Sequence, residues 1–368
     1  MNALDVDRLL ADRQTRIIVC CGSGGVGKTT TSAALALRAA EQGRKVVVLT
    51  IDPARRLAQS MGIEQLDNTP RPVAGVSGGR LDAMMLDMKR TFDEVVLSQA
   101  SPEKAKQILE NPFYIALSSS FAGTQEYMAM EKLGQLHRDA QRTGSYDLIV
   151  VDTPPSRSAL DFLDAPERLS SFLDGRFIRM MLAPARGPAR LMTAGFSLAT
   201  GALSKVLGGQ FLKDLQRFVS ALDTVFGGFR TRAQRTYALL QARGTAFLVV
   251  AAPEDDALRE AAYFVERLRG DRMPLAGLVV NRATLSEEPA LSAAAAVAAA
   301  ERLDPEAVTA GLLRIHADRE RLVGRQQKLR ARFAAAHPGV PTAVVPALPG
   351  DVHDLAGLRR VGELLAEQ

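Results

Sequence analysis

The 368-residue sequence predicts an α/β fold, a mostly parallel, doubly wound sheet with an inserted helical subdomain. Three observations carry that expectation. Apolar, β-rich runs recur with helical segments between them, the alternation that builds crossover units and a parallel sheet. Those runs are near-continuous in Val, Leu and Ile, as strands buried on both faces require. Two long intervals then interrupt the alternation without a convincing strand of their own.

The first strand is the run Ile17-Ile18-Val19-Cys20-Cys21, and a helix is expected from Thr30 to Gln42, ended by Gly43. Strands are expected at Lys45 to Thr50, Leu81 to Leu86 and Asp147 to Val151. Three more follow at Thr245 to Ala251, Leu275 to Asn281 and Thr342 to Val345. From about Thr91 to Arg142 the chain reads as helical, with Pro102 and Pro112 marking breaks. From about Pro166 to Arg243 no strand is expected. There Leu203, Leu207, Phe211, Leu215, Phe218, Leu222 and Phe226 recur at three- and four-residue steps, giving one apolar stripe. The stripe, with Met180, Met181 and Met192 nearby, either serves a hydrophobic client or forms the inside of the subdomain or a dimer contact. Leu285 to Gly311 is alanine-rich, either a surface helix or a mobile insertion. The expected organisation is a core in 1–90, 143–165 and 244–368, with helical insertions at 91–142 and 166–243.

Composition narrows the partners. Hydrophobic residues make up 47% and charged residues 24%, an ordinary soluble balance. The net charge of +5 comes largely from arginine scattered through expected helices. Without a basic block or aromatic-basic interleaving, no nucleic-acid partner is expected. Met1 to Asp7 is acidic and lacks the apolar core of a signal peptide. The low-charge stretch Leu191 to Ser204 falls short of the roughly 20 apolar residues of a membrane span. Cys20 and Cys21 are the only cysteines. As strand neighbours they point to opposite faces, so buried, unpaired thiols are expected. A cytoplasmic location follows from these readings.

The chemistry concentrates in Gly22-Ser23-Gly24-Gly25-Val26-Gly27-Lys28-Thr29, followed by Thr30, which fits the phosphate-binding pattern G-x-x-x-x-G-K-[ST]. Glycines let successive backbone N–H groups turn inward on a polyphosphate, and the helix N-terminus adds its positive dipole end. Lys28 can reach the β- and γ-phosphates of ATP, and the Thr29 hydroxyl can ligate Mg²⁺. Asp52 ends the second strand, where a carboxylate either orients a water for attack on the γ-phosphate or caps the next helix. Leu148 to Val151 runs into Asp152-Thr153-Pro154-Pro155, a Walker B arrangement whose carboxylate holds Mg²⁺ directly or through water. The polar Ser156-Arg157-Ser158 beyond it can report on the γ-phosphate. Asn281, at a strand end, either pairs with an adenine edge or forms a turn. Pro346-Ala347-Leu348-Pro349 either walls a base pocket, through Pro346, Leu348 and Pro349, or ends the last strand. The C-terminal Leu355, Leu358, Val361, Leu364 and Leu365, with Arg359 and Arg360, form a short helix that either binds a membrane or packs on its domain.

With the P-loop, Asp52-Pro53-Ala54, Asp152-Thr153-Pro154-Pro155 and Asn281 in this order, the chain resembles the ArsA-type ATPases, P-loop NTPases of the deviant Walker A class. These include the arsenite-pump ATPase and the eukaryotic ATPase that targets tail-anchored membrane proteins. It resembles most the actinobacterial anion-transporting members, which share the run from Phe121 to Glu131. The resemblance implies that Gly22 to Thr30 cradle the phosphates, that Asp52 lies in switch I and Asp152 in switch II, and that Asn281 recognises adenine. It implies Thr29, Asp52 and Asp152 around Mg²⁺, and two subunits facing each other across ATP, as a homodimer or with a paralogous ATPase subunit. Two departures stand out. The family's P-loop reads G-K-G-G-x-G-K-T, and Ser23 occupies the first lysine's position, so turnover either requires a partner subunit that supplies the lysine, is slow, or draws on a nearby arginine such as Arg55 or Arg157. No CxxC is present, so neither a structural zinc clasp nor arsenite sensing of the known kind is expected. The implied role is a dimeric switch ATPase coupled to a hydrophobic client or membrane partner. The alternatives are the energising subunit of an anion transporter and a positioning ATPase of the ParA or MinD type.

Overall fold

In a computed structural model of the chain, residues 2–52, 56–112, 114–115, 118, 124–154, 228–286 and 291–367 are described. They divide into two compact units. The first comprises Met1–Met85, Thr143–Ala159 and Leu240–Gln368; the second takes Leu86–Arg142 and Leu160–Leu239, as far as these residues are described.

The first unit is built on strands β1 (Ile17–Cys21), β2 (Lys45–Thr50), β3 (Arg71–Pro72), β4 (Arg80–Met85), β5 (Leu148–Asp152), β6 (Thr245–Ala251), β7 (Leu275–Ala283) and β8 (Thr342–Pro346). They form one eight-stranded sheet in the order β3-β4-β2-β5-β1-β6-β7-β8. Every pairing is parallel except β3 with β4. The expected strands are present with ends shifted by a residue or two. Edge strand β3 is new, a two-residue exposed piece containing Pro72 and no apolar run to announce it.

Described helices begin with α1 (Val6–Ala11), α2 (Lys28–Glu41), α3 (Arg56–Ser60), α4 (Met88–Gln99), α5 (Pro102–Leu109) and α6 (Thr124–Thr143). They continue with α7 (Phe229–Gln241), α8 (Asp255–Gly270), α9 (Ala293–Ala300), α10 (Val308–Ala336) and α11 (Leu355–Ala366). Small residues let α2 sink into the protein, so that Ala33 through Leu37 are all fully buried. One face of the sheet, including Ile18, Cys20, Val46, Val48 and Val150, shares a core with α2 and α11. The alternate residues Ile17, Val19, Val47, Leu49 and Val151 are buried as well, which explains the continuous apolar runs.

Asp147 stands outside β5, contrary to the expected strand start, because its carboxylate is occupied by Arg44 at 2.8 Å and Arg13 at 2.9 Å. Arg44 is buried, and its other donors reach the carbonyls of Leu10, Thr15 and Asp147. That cation ties the end of α1, the entry to β1 and the entry to β5 into one corner. Of the two outcomes expected for the C-terminal helix, packing on its domain is the one found. Leu358, Val361, Leu364 and Leu365 are buried in the core with α2, and Arg359 pairs with Glu41 at 2.8 Å. The alanine-rich stretch contains α9, capped by Ser292, and the start of α10, which runs 29 residues to Ala336. Residues 287–290 lie outside the described residues.

In the second unit Asp87 caps α4 by accepting from the Arg90 amide at 2.9 Å. Pro102 occupies the first turn of α5, so the expected break is a helix start. Tyr127 through Met130 are buried on α6, and Glu131 accepts from Arg232 Nε through both oxygens at 3.0 Å. The apolar stripe from Leu203 to Phe226, the methionines near it and Ser156 to Ser158 lie outside the described residues. Among the described residues no helix is long and apolar enough to cross a membrane.

Candidate functional site

Parallel register brings the ends of β2, β5 and β1 to one level: Asp152 stands opposite both Thr50 and Cys20. Ligands of open parallel sheets bind beyond such carboxyl ends, and here the glycine-rich loop leaves β1. A side chain at Gly22 would collide with the Val250 carbonyl on β6, so only glycine allows this close approach. Gly25 and Gly27 have φ of +78° and +92°, the left-handed region glycine tolerates without strain. Gly27 is the N-cap of α2. The helix therefore starts at Lys28, two residues before the expected Thr30, and its free amides lie within the loop.

Side chains brace this loop from within and without. Lys28 Nζ donates to the carbonyls of Gly22 at 3.0 Å and Ser23 at 2.7 Å. Burial lowers the Lys28 pKa, opposed by the nearby Asp152 carboxylate. From β7, Asn281 Nδ2 donates to the Val26 carbonyl at 2.9 Å and Arg282 Nη1 to the Gly25 carbonyl at 3.1 Å. The Ser23 hydroxyl oxygen is buried, with no hydrogen-bond partner among the described residues.

The β5 carboxylate is the most constrained group. Asp152 Oδ2 accepts from Thr29 Oγ1 at 2.8 Å and from Thr50 Oγ1 at 2.9 Å. Asp152 Oδ1 is buried and finds no partner among the described residues. Burial pushes this carboxyl up to about 6, although the Thr29 and Thr50 hydrogen bonds and then the Lys28 charge favour its ionised form. Thr153 donates to the Cys20 carbonyl at 2.8 Å, fixing the chain as it leaves the strand. Cys20 and Cys21 are both free and buried, and desolvation pushes each thiol up to about 12.

A cleft of about 1220 Å³ opens over the loop. Gly24, Gly25, Gly27, Lys28, Thr29 and Thr30 line it on one side. Asp52, Asn281, Pro346, Leu348 and Pro349 line it elsewhere, so residues from four separate sequence regions converge. Gly22, Ser23 and Val26 do not line it: Gly22 abuts β6, and the Val26 side chain is buried in the core. Asp152 lies behind Thr29, fully buried. The Asp52 backbone N–H donates to Thr50 Oγ1 at 3.2 Å; residues 53–55, which bear on the expected helix cap, lie outside the described residues. Sequence reading missed Arg56, Gln59, Arg282 and His353 on the cleft wall. The Arg55-Arg56 pair directly after the Asp52 segment was a readable signal; the turn that re-aims Arg282 was not.

The sequence matches the anion-transporting ATPase family over residues 15–303. The chain belongs to that family. An arsenical pump-driving ATPase from Acidiphilium multivorum is 32% identical over 155 residues, 42% of this chain and 26% of that protein. ATPase GET3 of Podospora anserina is 29% identical over 276 residues, covering 74% of this chain and 75% of the other. An ATPase ASNA1 homolog from Cryptosporidium parvum is 27% identical over 262 residues, 71% of this chain and 63% of the other. The chain spans about a quarter of the length of the arsenical pump-driving ATPases it matches. The α/β sheet and the nucleotide-type loop are those expected of an anion-transporting ATPase.

Proposed function

We propose that this chain binds ATP with Mg²⁺ in the cleft beyond β1, β2 and β5 and hydrolyses it, acting as a dimeric switch. One observation carries the reading: a single cleft gathers the P-loop, Asp52, Asn281 and the Pro346 to Pro349 segment. In this reading the loop amides and Lys28 hold the polyphosphate. The Asn281 carboxamide and the proline segment hold the base. Asp52 lies on the cleft wall, where a carboxylate can orient a water.

The donor set fits a magnesium ion. Mg²⁺ takes hard oxygen ligands and is commonly held by one or two carboxylates plus substrate phosphates. The Thr29 hydroxyl and Asp52 on the cleft wall, with the unpartnered Asp152 Oδ1 buried behind Thr29, are oxygens of that kind. When bound, the ion supplies charge neutralisation to the phosphates. Among the described residues there is no His, Cys, Asp or Glu cluster of the sort that holds a metal without a substrate.

The segments 91–142 and 166–243 are proposed as the helical part that meets a hydrophobic client or membrane partner. Dimerisation, with a second copy or a paralogous subunit, is part of the same reading. The relatives named arsenical pump-driving ATPases favour a second one, an energising subunit for a membrane anion transporter. Against arsenite as its ion, the two cysteines are enclosed in the sheet and cannot converge as soft ligands. A positioning role of the ParA or MinD type loses its membrane helix, since α11 is packed in the core.

The test is initial-rate ATP hydrolysis with Mg²⁺ and with chelator, in the wild type and in Asp52→Asn. Mg²⁺-dependent phosphate release in the wild type, reduced roughly a hundredfold in the variant, supports the reading. No release above background from protein that binds ATP would remove hydrolysis from it.

A further inference from the structure

We infer that Arg282, held over Gly25, is a polyphosphate-contacting residue of this cleft, supplying a positive charge beside the loop in addition to Lys28. The inference rests on the ATP-binding reading above and adds to it a specific cation.

Neighbouring strand residues ordinarily point to opposite faces. Asn281 and Arg282 instead both reach the same loop, Asn281 to the Val26 carbonyl and Arg282 to the Gly25 carbonyl. The reason is local. The β7–β8 register shifts between Val280 and Ala283, and Arg282 takes φ of +59°, a left-handed value rare for a residue with a Cβ. Such irregularities re-aim side chains beside functional sites, and strained backbone is retained where it serves one.

Charge argues the same way. Lys28 is the loop's own cation, and the enclosed Ser23 hydroxyl adds no second one. The Arg282 guanidinium is exposed, lines the cleft and has no ion pair with a carboxylate among the described residues. Among the described residues its side chain's hydrogen bond is to Gly25, a neutral acceptor. A phosphate oxygen is the stronger acceptor, since it adds the attraction of opposite charges to the hydrogen bond. A planar guanidinium also suits bidentate phosphate contact.

The competing role is a brace that merely shapes the loop, and the test separates the two. Full-length wild type, Arg282→Gly and Arg282→Lys are compared by thermal melting, by calorimetry with Mg²⁺-ATP and AMP, and by turnover. Glycine accepts the left-handed backbone, so Arg282→Gly is expected to melt no lower than the wild type. It is expected to keep AMP affinity within about twofold while turnover, or the ATP-over-AMP affinity ratio where turnover is slow, falls about tenfold or more. Added guanidinium ion, against sodium at equal ionic strength, is expected to restore part of that loss in Arg282→Gly. Arg282→Lys, which keeps the charge but not the fork, should fall between the two. Unchanged turnover and affinity ratio in Arg282→Gly would overturn the inference. Parallel loss of AMP affinity, ATP affinity and melting temperature would overturn it too, in favour of the brace. A wild type that takes up no Mg²⁺-ATP overturns the site reading itself, a different result from a normal wild type with an indifferent variant.

Discussion

The Thr29 hydroxyl of the phosphate loop donates a 2.8 Å hydrogen bond to Asp152 Oδ2, joining the start of α2 to the end of β5. The same oxygen accepts from Thr50, so the buried carboxylate is satisfied on one side only. This half-satisfied state has a stability consequence. The folded pKa of about 6 lies above the ordinary value of 3.8. Between those values the native protein binds a proton that the unfolded chain has released. Metal-free protein is therefore expected to lose stability as pH rises through that window, with the loss complete above about 6. Asp152→Asn removes the titration and should raise melting temperature at pH 7.5 in chelator, by up to about 3 kcal/mol of stability. It should also abolish stabilisation by Mg²⁺-ATP. Melting curves at pH 4.5 and 7.5 check both; a wild type that gains stability with pH relative to the variant would refute the first.

Gly27 and Asn281 are fitted to each other. A Cβ at Gly27 would meet the Asn281 amide, and the backbone there is left-handed. Gly27→Ala is expected to cost about 1–3 kcal/mol and to weaken ATP binding. In an Asn281→Ala background the steric part of that cost is gone and only the backbone part remains. Denaturant titration of the four proteins checks this; costs that add without coupling would show that the two residues are independent.

Cys20 and Cys21 face opposite sides of the sheet: Cys20 shares the core with α2, and Cys21 Sγ donates to the Leu248 carbonyl at 3.6 Å. With both thiols held near 12, the reactive thiolate is scarce at pH 8. Thiol reagents should label neither residue in the native protein and both after unfolding. Rapid native labelling would contradict the buried sheet position of the loop.

Arg44 is a buried cation with a carboxylate and several carbonyls as partners. Arg44→Met takes a donor from the carbonyls of Leu10, Thr15 and Asp147 and leaves the Asp147 carboxylate with Arg13 as its cation, and is expected to destabilise the first unit by about 3 kcal/mol or more. Lysine cannot replace the planar fork and should recover only part of that. Chemical denaturation distinguishes the variants.

Much of the fold was legible because buried parallel strands require continuous apolar runs. Val46 to Thr50 and Leu148 to Val151 announce themselves by composition, and the glycine spacing announces the loop. What escaped the sequence lacks such a signal. The edge strand Arg71–Pro72 is two exposed residues. The helix Val308–Ala336 exposes Val308, Leu312 and Ile315, so its apolar positions do not mark a single buried stripe. In the site, Asp52, Asp152 and Asn281 were readable as polar residues ending apolar runs. Arg282 was not, because its place over the loop depends on a register shift between two strands that lie far apart in sequence.

The most direct test of ATP binding by this loop is calorimetric titration of folded protein with Mg²⁺-ATP, wild type beside Lys28→Ala. Saturable, Mg²⁺-dependent uptake is expected of the wild type, weakened about tenfold or more by the substitution. Equal uptake by both proteins, or none by the wild type, would contradict it.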